Sequence, residues 1–329
     1  MYTSVVAGGA GFIGSHLCEY LLNKNERVIA VDNLGSGDKA NLKSLLKRDS
    51  FTFIKHDIRK PLKIDEKVDF FYNLASRASP VDFDRFPIEI MMTNSLGTYN
   101  IINLALEKKA RFLMASTSES YGDPDVSPQP ETYWGHVNPV GPRSCYDESK
   151  RFSEALTMTF INHHGLDGRI IRIFNTYGPR MRLDDGRVVP NFITQALAGE
   201  PITVYGKGTQ TRSFCYVSDL VRGIYLMMQA PTRGMVVNLG NPNEMTVLEL
   251  AKAITKMTGS ASKVVFKPLP ENDPLQRRPD ISRAKDLLGW APDVELDEGL
   301  ENTIEWFSDH IRNSDPRAVT GRKQGENAR

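Results

Sequence analysis

Thr3-Ser4-Val5-Val6-Ala7 runs into Gly8-Gly9-Ala10-Gly11-Phe12-Ile13-Gly14, and an amphipathic stretch, 16–22, follows. The first run has the short apolar pattern of a buried strand, and the last has helical spacing. Strand, glycine-rich turn and helix in this order form the context that a dinucleotide fingerprint requires. Gly8 permits the tight turn, Gly11 lets a pyrophosphate approach the backbone, and Gly14 lets the helix pack on the sheet. The helix N-terminus then offers free N–H groups to phosphates. Asp32 ends the next strand, 27–31, about 20 residues past the turn, where a carboxylate accepts from the adenosine ribose hydroxyls. A 2′-phosphate would be repelled there and the first following cation is Lys39, which favours NAD over NADP. A structural reading of Asp32, as a turn residue beside Asn33, stays open.

The alternation continues outward. Residues 51–55 read as a strand leading to His56-Asp57-Ile58, where Asp57 can meet the adenine edge. A strand at 68–74, helical spacing over 91–108 and a strand at 111–115 follow, the last delivering Ser116-Thr117-Ser118-Glu119 to its carboxyl end. A helix carrying Tyr146 and Lys150 runs to about residue 162, and a strand at 169–174 ends in Asn175-Thr176. Six strands alternating with helices predict an α/β fold, a Rossmann-type doubly wound parallel sheet covered on both faces. Ligands of such sheets sit at the carboxyl ends of the strands. The aperiodic, proline-containing segment 122–143 is long for an idle loop.

Residues 1–180 are thus expected to form the NAD-binding domain. Beyond them the alternation loosens, and 181–311 is read as a smaller α/β substrate lobe, with some segments crossing between lobes. Helices are expected at 188–197, 219–228 (capped by Ser218), 247–257 (capped by Thr246) and 297–311, and strands at 202–205 and 213–217. The segment 276–280 reads as irregular and cation-rich, and the polar stretch 312–329 as a disordered tail.

Charged residues make up 25% of the 329 and the net charge is +1, which gives no reason to expect nucleic acid or an acidic membrane as partner. No apolar run approaches the ~20 residues of a membrane span. The first strand begins almost at Met1, leaving no room for a signal peptide. Cys18, Cys145 and Cys215 form no C-x-x-C pair, which points to a reducing, cytoplasmic setting. His163-His164 ends a helix without a third ligand at metal spacing, so no metal is expected. Cys145 is read as packing.

Tyr146 and Lys150, four apart on a helix, share one face. A free tyrosine titrates near 10, too high for a base at neutral pH. A nearby ammonium, and the positive nicotinamide, favour the phenolate, and a drop of roughly three units corresponds to about 4 kcal/mol. Such a phenolate could accept the proton of an alcohol being oxidised.

Ala115-Ser116-Thr117-Ser118-Glu119, Tyr121-Gly122-Asp123-Pro124, Tyr133-Trp134-Gly135-His136-Val137-Asn138-Pro139, Gly141-Pro142-Arg143 with Cys145-Tyr146-Asp147-Glu148, and Asp185-Gly186-Arg187-Val188-Val189 carry more information than the glycine turn. With them the chain resembles the extended short-chain dehydrogenase/reductases acting on nucleotide sugars, and within these the UDP-glucuronate decarboxylases (UDP-xylose synthases). The resemblance covers residue 8 to about residue 307.

It implies that Tyr146 takes the proton of the sugar 4-hydroxyl as hydride passes from C4 to NAD, with Thr117 at the same oxygen. Lys150 would lower the tyrosine pKa and hold the nicotinamide ribose. Carbon dioxide then leaves from a carboxylate β to the new ketone, and protonation at C5 and return of hydride give UDP-xylose. Ser118 and Glu119 match positions beside C5, and Arg277 a position near sugar and diphosphate, a candidate acid or carboxylate partner. Cofactor positions implied are Gly8, Gly11, Phe12, Ile13, Gly14, Asp32, Asn33, Asp57, Ile58, Leu74, Ala75, Ser76, Thr93, Ala115, Tyr146, Lys150, Thr176 and Arg187. Those implied for the UDP-sugar are Pro80, Glu119, Asn175, Val189, Asn191, Tyr205, Gln210, Arg212 and Arg277. Arg212 and Arg277 are planar, multi-donor groups suited to a diphosphate. A homodimer is implied through the helices bearing 91–106 and Tyr146.

Related 4,6-dehydratases carry Asp-Glu after the threonine; Ser118 here cannot supply that acid. Asn73, Arg77 and Ser120 depart from the commonest residues of the resembled group. A UDP-hexuronate or UDP-sugar 4-epimerase, a decarboxylase releasing the 4-keto pentose and NADH, and an inactive NAD-binding sensor remain as alternatives.

Overall fold

The computed structural model describes residues 1–269 and 276–314. The strands β1 (Thr3–Ala7), β2 (Arg27–Asp32), β3 (Phe51–Lys55), β4 (Phe70–Asn73), β5 (Arg111–Thr117) and β6 (Gly168–Ile173) form one parallel sheet. Their order is β3-β2-β1-β4-β5-β6, the Rossmann arrangement, with the reversal between β1 and β4. Val5, Val6, Ala7, Val28, Ile29, Ala30 and Val31 are all buried, so both faces are covered and the strands read as apolar runs, not as alternation.

Helices α1 (Phe12–Asn23), α2 (Pro87–Met92), α3 (Thr98–Lys108) and α4 (Ser144–His163) follow within this half. The helix expected over 91–108 begins earlier, at Pro87, and is widened by a π turn at Thr93–Gly97. Gly97 there packs on Ile58, where a Cβ would stand 2.8 Å from Ile58 Cδ1. The segment 122–143 contains no helix and only the isolated bridges Gly122–His136 and Gln129–Pro279.

The strands β7 (Thr176–Tyr177), β8 (Ile202–Tyr205), β9 (Thr211–Ser213), β10 (Cys215–Tyr216), β11 (Val236–Leu239), β12 (Glu244–Thr246), β13 (Val264–Lys267) and β14 (Gln276–Arg277) come next, with α5 (Val188–Ala198), α6 (Val217–Gln229), α7 (Val247–Thr258), α8 (Ser282–Leu288) and α9 (Leu296–Ser314). β11 joins the main sheet beside β6 as a seventh strand among the described residues. The sequence hid it because buried Asn238 interrupts the apolar run. Its amide is held internally, accepting from Tyr121 Oη at 2.8 Å and donating to Gln129 O at 2.9 Å.

One apolar cluster packs α1 and α6 on one sheet face, through Leu17, Leu21, Leu220 and Ile224, with Trp290 buried among them. A second packs α3 and α4 on the other, through Ile101, Ala105 and Ile161. A third joins α5, α7, α9 and β8 around Phe192, Ile254 and Phe307.

Thr246 caps α7 in a reciprocal pair with Glu249, as its position suggests. Ser218 does not cap α6, which starts two residues earlier than expected, at Val217, with Tyr216 in the capping position and no side-chain cap. Residues 213–217 are two short strand pieces and a helix start rather than one strand. The segment 276–280 opens as β14, pairing with β9 in a register that sets Arg277 opposite Arg212. The last helix extends to Ser314, three residues into the expected tail; 315–329 lie outside the described residues. No helix among the described residues is long and apolar enough to cross a membrane.

Candidate active site

The carboxyl ends of β1, β2, β4, β5 and β6 open onto a cavity of about 750 Å³. Every residue named above as a candidate, from Gly8 to Arg277, lines it.

At the β1 end, Gly8 has φ +80°, and its N–H donates to Val31 O at 2.8 Å. A Cβ on Gly14 would stand 2.0 Å from Gly8 O, while one on Gly11 would meet only that oxygen, at 3.2 Å, and otherwise open space. Gly11 caps α1 without a side-chain bond, leaving the helix N-terminus to a ligand. Asp32 is buried and accepts from Ala10 N at 3.0 Å and Leu34 N at 2.8 Å. Burial raises its carboxyl while backbone N–H groups pull it down. Asp32 therefore holds the turn together as well as facing the cavity. Asp57 is pinned by Arg59, which holds its carboxyl low, at about 2. The glycine cradle, the uncapped helix and the carboxylate after β2 fit a dinucleotide such as NAD.

At the β5 end, Thr117 caps a single 3₁₀ turn, Ser118–Tyr121, by accepting from Glu119 N at 3.2 Å. On α4, Lys150 Nζ donates to Ala115 O at 2.9 Å and lies 5.9 Å from the Tyr146 ring centroid. Tyr146 is hydrogen-bonded with the Thr117 hydroxyl.

The expected depression of the tyrosine does not hold in the unliganded chain. Burial raises the phenol above its ordinary value, and the strongest downward pulls come from the Thr117 hydrogen bond and Arg187, not from Lys150. Lys150, buried as well, is itself lowered to about 8. A helical turn shared with a lysine does not depress a tyrosine when both are stripped of water.

Glu119 lies under three arginines. Arg143 Nη2 donates to it at 2.7 Å, and Arg277 Nη1 pairs with it at 3.2 Å while donating to Ser118 Oγ at 3.1 Å. Arg277, Arg143 and Arg212 hold the carboxyl well below its ordinary value despite its burial. Asp147, buried 3.9 Å from Arg143, is pushed the other way by burial and by Glu119. Arg187 is ion-paired with Asp185 and its charge favours the Tyr146 phenolate.

On the wall supplied by the second half of the chain, Asn191 donates to Gly186 O at 3.0 Å, Gln210 to Tyr205 O at 2.8 Å, and Arg212 to Thr211 O at 2.9 Å.

The sequence reading missed Phe83, Arg143 and Asp82 as parts of this wall. Arg143 stood in a quoted run but carried no spacing signal. Phe83, whose ring stacks on Tyr146 with centroids 5.1 Å apart, is reached only through the fold. No group of histidine, cysteine, aspartate or glutamate that could hold a metal ion occurs among the described residues.

The family model described as NAD dependent epimerase/dehydratase family matches residues 4–240. The chain is 51% identical over 304 residues to UDP-glucuronic acid decarboxylase 1 of Danio rerio, covering 92% of this chain and 72% of that protein. It is 50% identical over 304 residues to UDP-glucuronic acid decarboxylase 3 of Arabidopsis thaliana, covering 92% and 88%. Among solved structures, UDP-glucuronic acid 4-epimerase from Bacillus cereus, in complex with UDP-glucuronic acid and NAD, superposes with a TM-score of 0.84 at 28% identity, covering 94% and 99%. A model match over most of the chain, on a glycine cradle and sheet order of the kind just described, means that this chain belongs to the NAD dependent epimerase/dehydratase family.

Proposed function

We propose that the chain is a UDP-glucuronate decarboxylase that forms UDP-xylose and keeps its NAD. The carrying observation is the company of Tyr146: Thr117 on its phenol, and beyond it Ser118 and a Glu119 locked as a carboxylate by Arg143 and Arg277. Relatives about half identical along nearly the whole chain bear that activity in their names.

NAD, held by the glycine cradle, Asp32 and Lys150, would accept hydride from the sugar C4 and give it back. Tyr146 takes the 4-hydroxyl proton, with Thr117 steering the shared oxygen. The phenol is raised by burial, so cations facing it, Arg187 among them, must favour the phenolate when the site is filled. Once C4 is a ketone, the β-carboxylate leaves as carbon dioxide and its electron pair passes into the enolate. Glu119 stays anionic throughout and orients a proton-bearing water toward C5 rather than giving its own proton. A neutral acid beside it, which elimination of water would need, is replaced by Ser118. Arg212 and Arg277, adjacent across β9 and β14, face the diphosphate.

The division of labour follows the chain: 1–180 for NAD and the proton chemistry, 181–311 mainly for the nucleotide sugar. A homodimer is supported by exposed Ile88, Met91, Leu96, Tyr99 and Phe152 on α2, the π turn, α3 and α4. Three free, buried cysteines suit a reducing, cytoplasmic compartment.

Incubating the purified chain with UDP-glucuronate and NAD⁺ tests the reading. Carbon dioxide and UDP-xylose without net NADH are expected. Accumulating NADH would mean a keto-releasing enzyme, an epimer without gas a 4-epimerase, and no turnover a binding protein.

A further inference from the structure

Arg77 stands directly after Ser76 at the exit of β4 and lines the cavity. Its guanidinium lies over Phe86, 3.9 Å from the ring centroid, and its ion pair with Asp82 is long, 3.7 Å. Asp82 is closer to Arg182, at 3.0 Å. On its other side Arg77 reaches the loop after β2, where a Cβ on Gly35 would stand 2.9 Å from Nη2. The side chain thus spans the cleft from one wall to the other. It is 19% exposed, and among the described residues no hydrogen bond engages its five donors. The adjacent Ser76 hydroxyl is buried and also lacks a partner. Both sit where the β4 exit abuts the glycine turn, since a Cβ on Gly8 would be 2.9 Å from Ala75 Cα. A planar cation without a hydrogen bond and a hydroxyl without a partner, lining the same cavity as the uncapped N-terminus of α1, form a donor set for phosphate oxygens.

We propose that Arg77, with Ser76 beside it, closes the dinucleotide cleft by donating to the diphosphate of bound NAD. The proposal rests on the reading that this cavity holds NAD. The other phosphate it could meet, the 2′-phosphate of NADP, is opposed by Asp32 at the ribose end.

The test is calorimetric titration of the full-length chain, wild type, Arg77→Met and Arg77→Lys, with NAD⁺, ADP-ribose, NADP⁺ and UDP. Loss of one charge-assisted hydrogen bond weakens NAD⁺ and ADP-ribose by about 10- to 100-fold in Arg77→Met. Arg77→Lys recovers part of this, as a point charge without the fork. UDP affinity is unchanged in both. Unaltered NAD⁺ affinity in Arg77→Met would overturn the proposal, as would a loss confined to NADP⁺ or a parallel loss of UDP affinity, the mark of a merely structural side chain. A wild-type chain that binds no NAD⁺ would overturn the cavity's assignment itself, and Arg77's role with it.

Discussion

Replacing Lys150 by methionine should make the unliganded protein more stable at neutral pH while abolishing turnover. The lysine is 5% exposed, its ammonium donates to the Ala115 carbonyl at 2.9 Å, and burial lowers it from 10.5 to about 8 against the pull of Glu154. Below about 8 both folded and unfolded chains carry this proton, and the folded state bears the whole cost of burying it. Between about 8 and 10.5 only the unfolded lysine remains protonated, so the unfolded state binds more protons and stability climbs with pH. At about 1.4 kcal/mol per unit the climb amounts to about 3 kcal/mol. Methionine carries no proton and lacks the climb. It also leaves the Ala115 carbonyl without its donor, which costs about 1 kcal/mol at every pH. Urea unfolding of both proteins at steps from about pH 7 to about pH 10 gives the difference directly. Lys150→Met should lead by about 2 kcal/mol at the neutral end and lose that lead as the pH rises. A difference that stays flat across the window would refute the buried, depressed ammonium and the reasoning built on it.

Phe83→Ala opens the ring that lies 5.1 Å from Tyr146 and admits water to the phenol. Because burial is what raises that phenol, the acid limb of kcat/KM should move to lower pH, by about one unit; an unmoved limb would contradict the stacking role. Gly14→Ala places a methyl 2.0 Å from Gly8 O, a backbone atom that cannot turn aside. It should cost about 1–3 kcal/mol of stability and abolish NAD binding, read by urea unfolding and calorimetry. Glu119→Gln removes the counter-charge of Arg277, which is 2% exposed, and should destabilise by about 3 kcal/mol while slowing the steps after C4 oxidation. Wild-type rates for those steps in a rapid-quench experiment would remove Glu119 from the chemistry.

The parallel sheet was legible because its strands are short apolar runs buried on both faces, with glycines at the first turn, where a Cβ on Gly8 or Gly14 would collide with backbone. β11 was not, because the Asn238 side chain is satisfied by partners more than forty residues away, Tyr121, Gln129 and Asp280. The convergence of the candidate residues on one cavity was foreseeable from their place at strand ends. Their electrostatics were not. A four-residue spacing says that Tyr146 and Lys150 share a face, but says nothing about how much water either keeps. Burial reverses the naive sign for the phenol and lowers the ammonium. The arginine cradle of Glu119 draws on the segment before α4 and on β9 and β14, and Phe83 reaches Tyr146 from the segment before α2. Such long-range packing leaves no local pattern to read.

The most direct measurement follows UDP-glucuronate deuterated at C4 through a single turnover. Hydride removed from C4 and returned within the same closed site gives UDP-xylose that keeps its deuterium at C4, with one carbon dioxide released and no labelled NADH in solution. Deuterium lost to solvent or to free NADH, or a labelled product that still holds its carboxylate, would contradict the account.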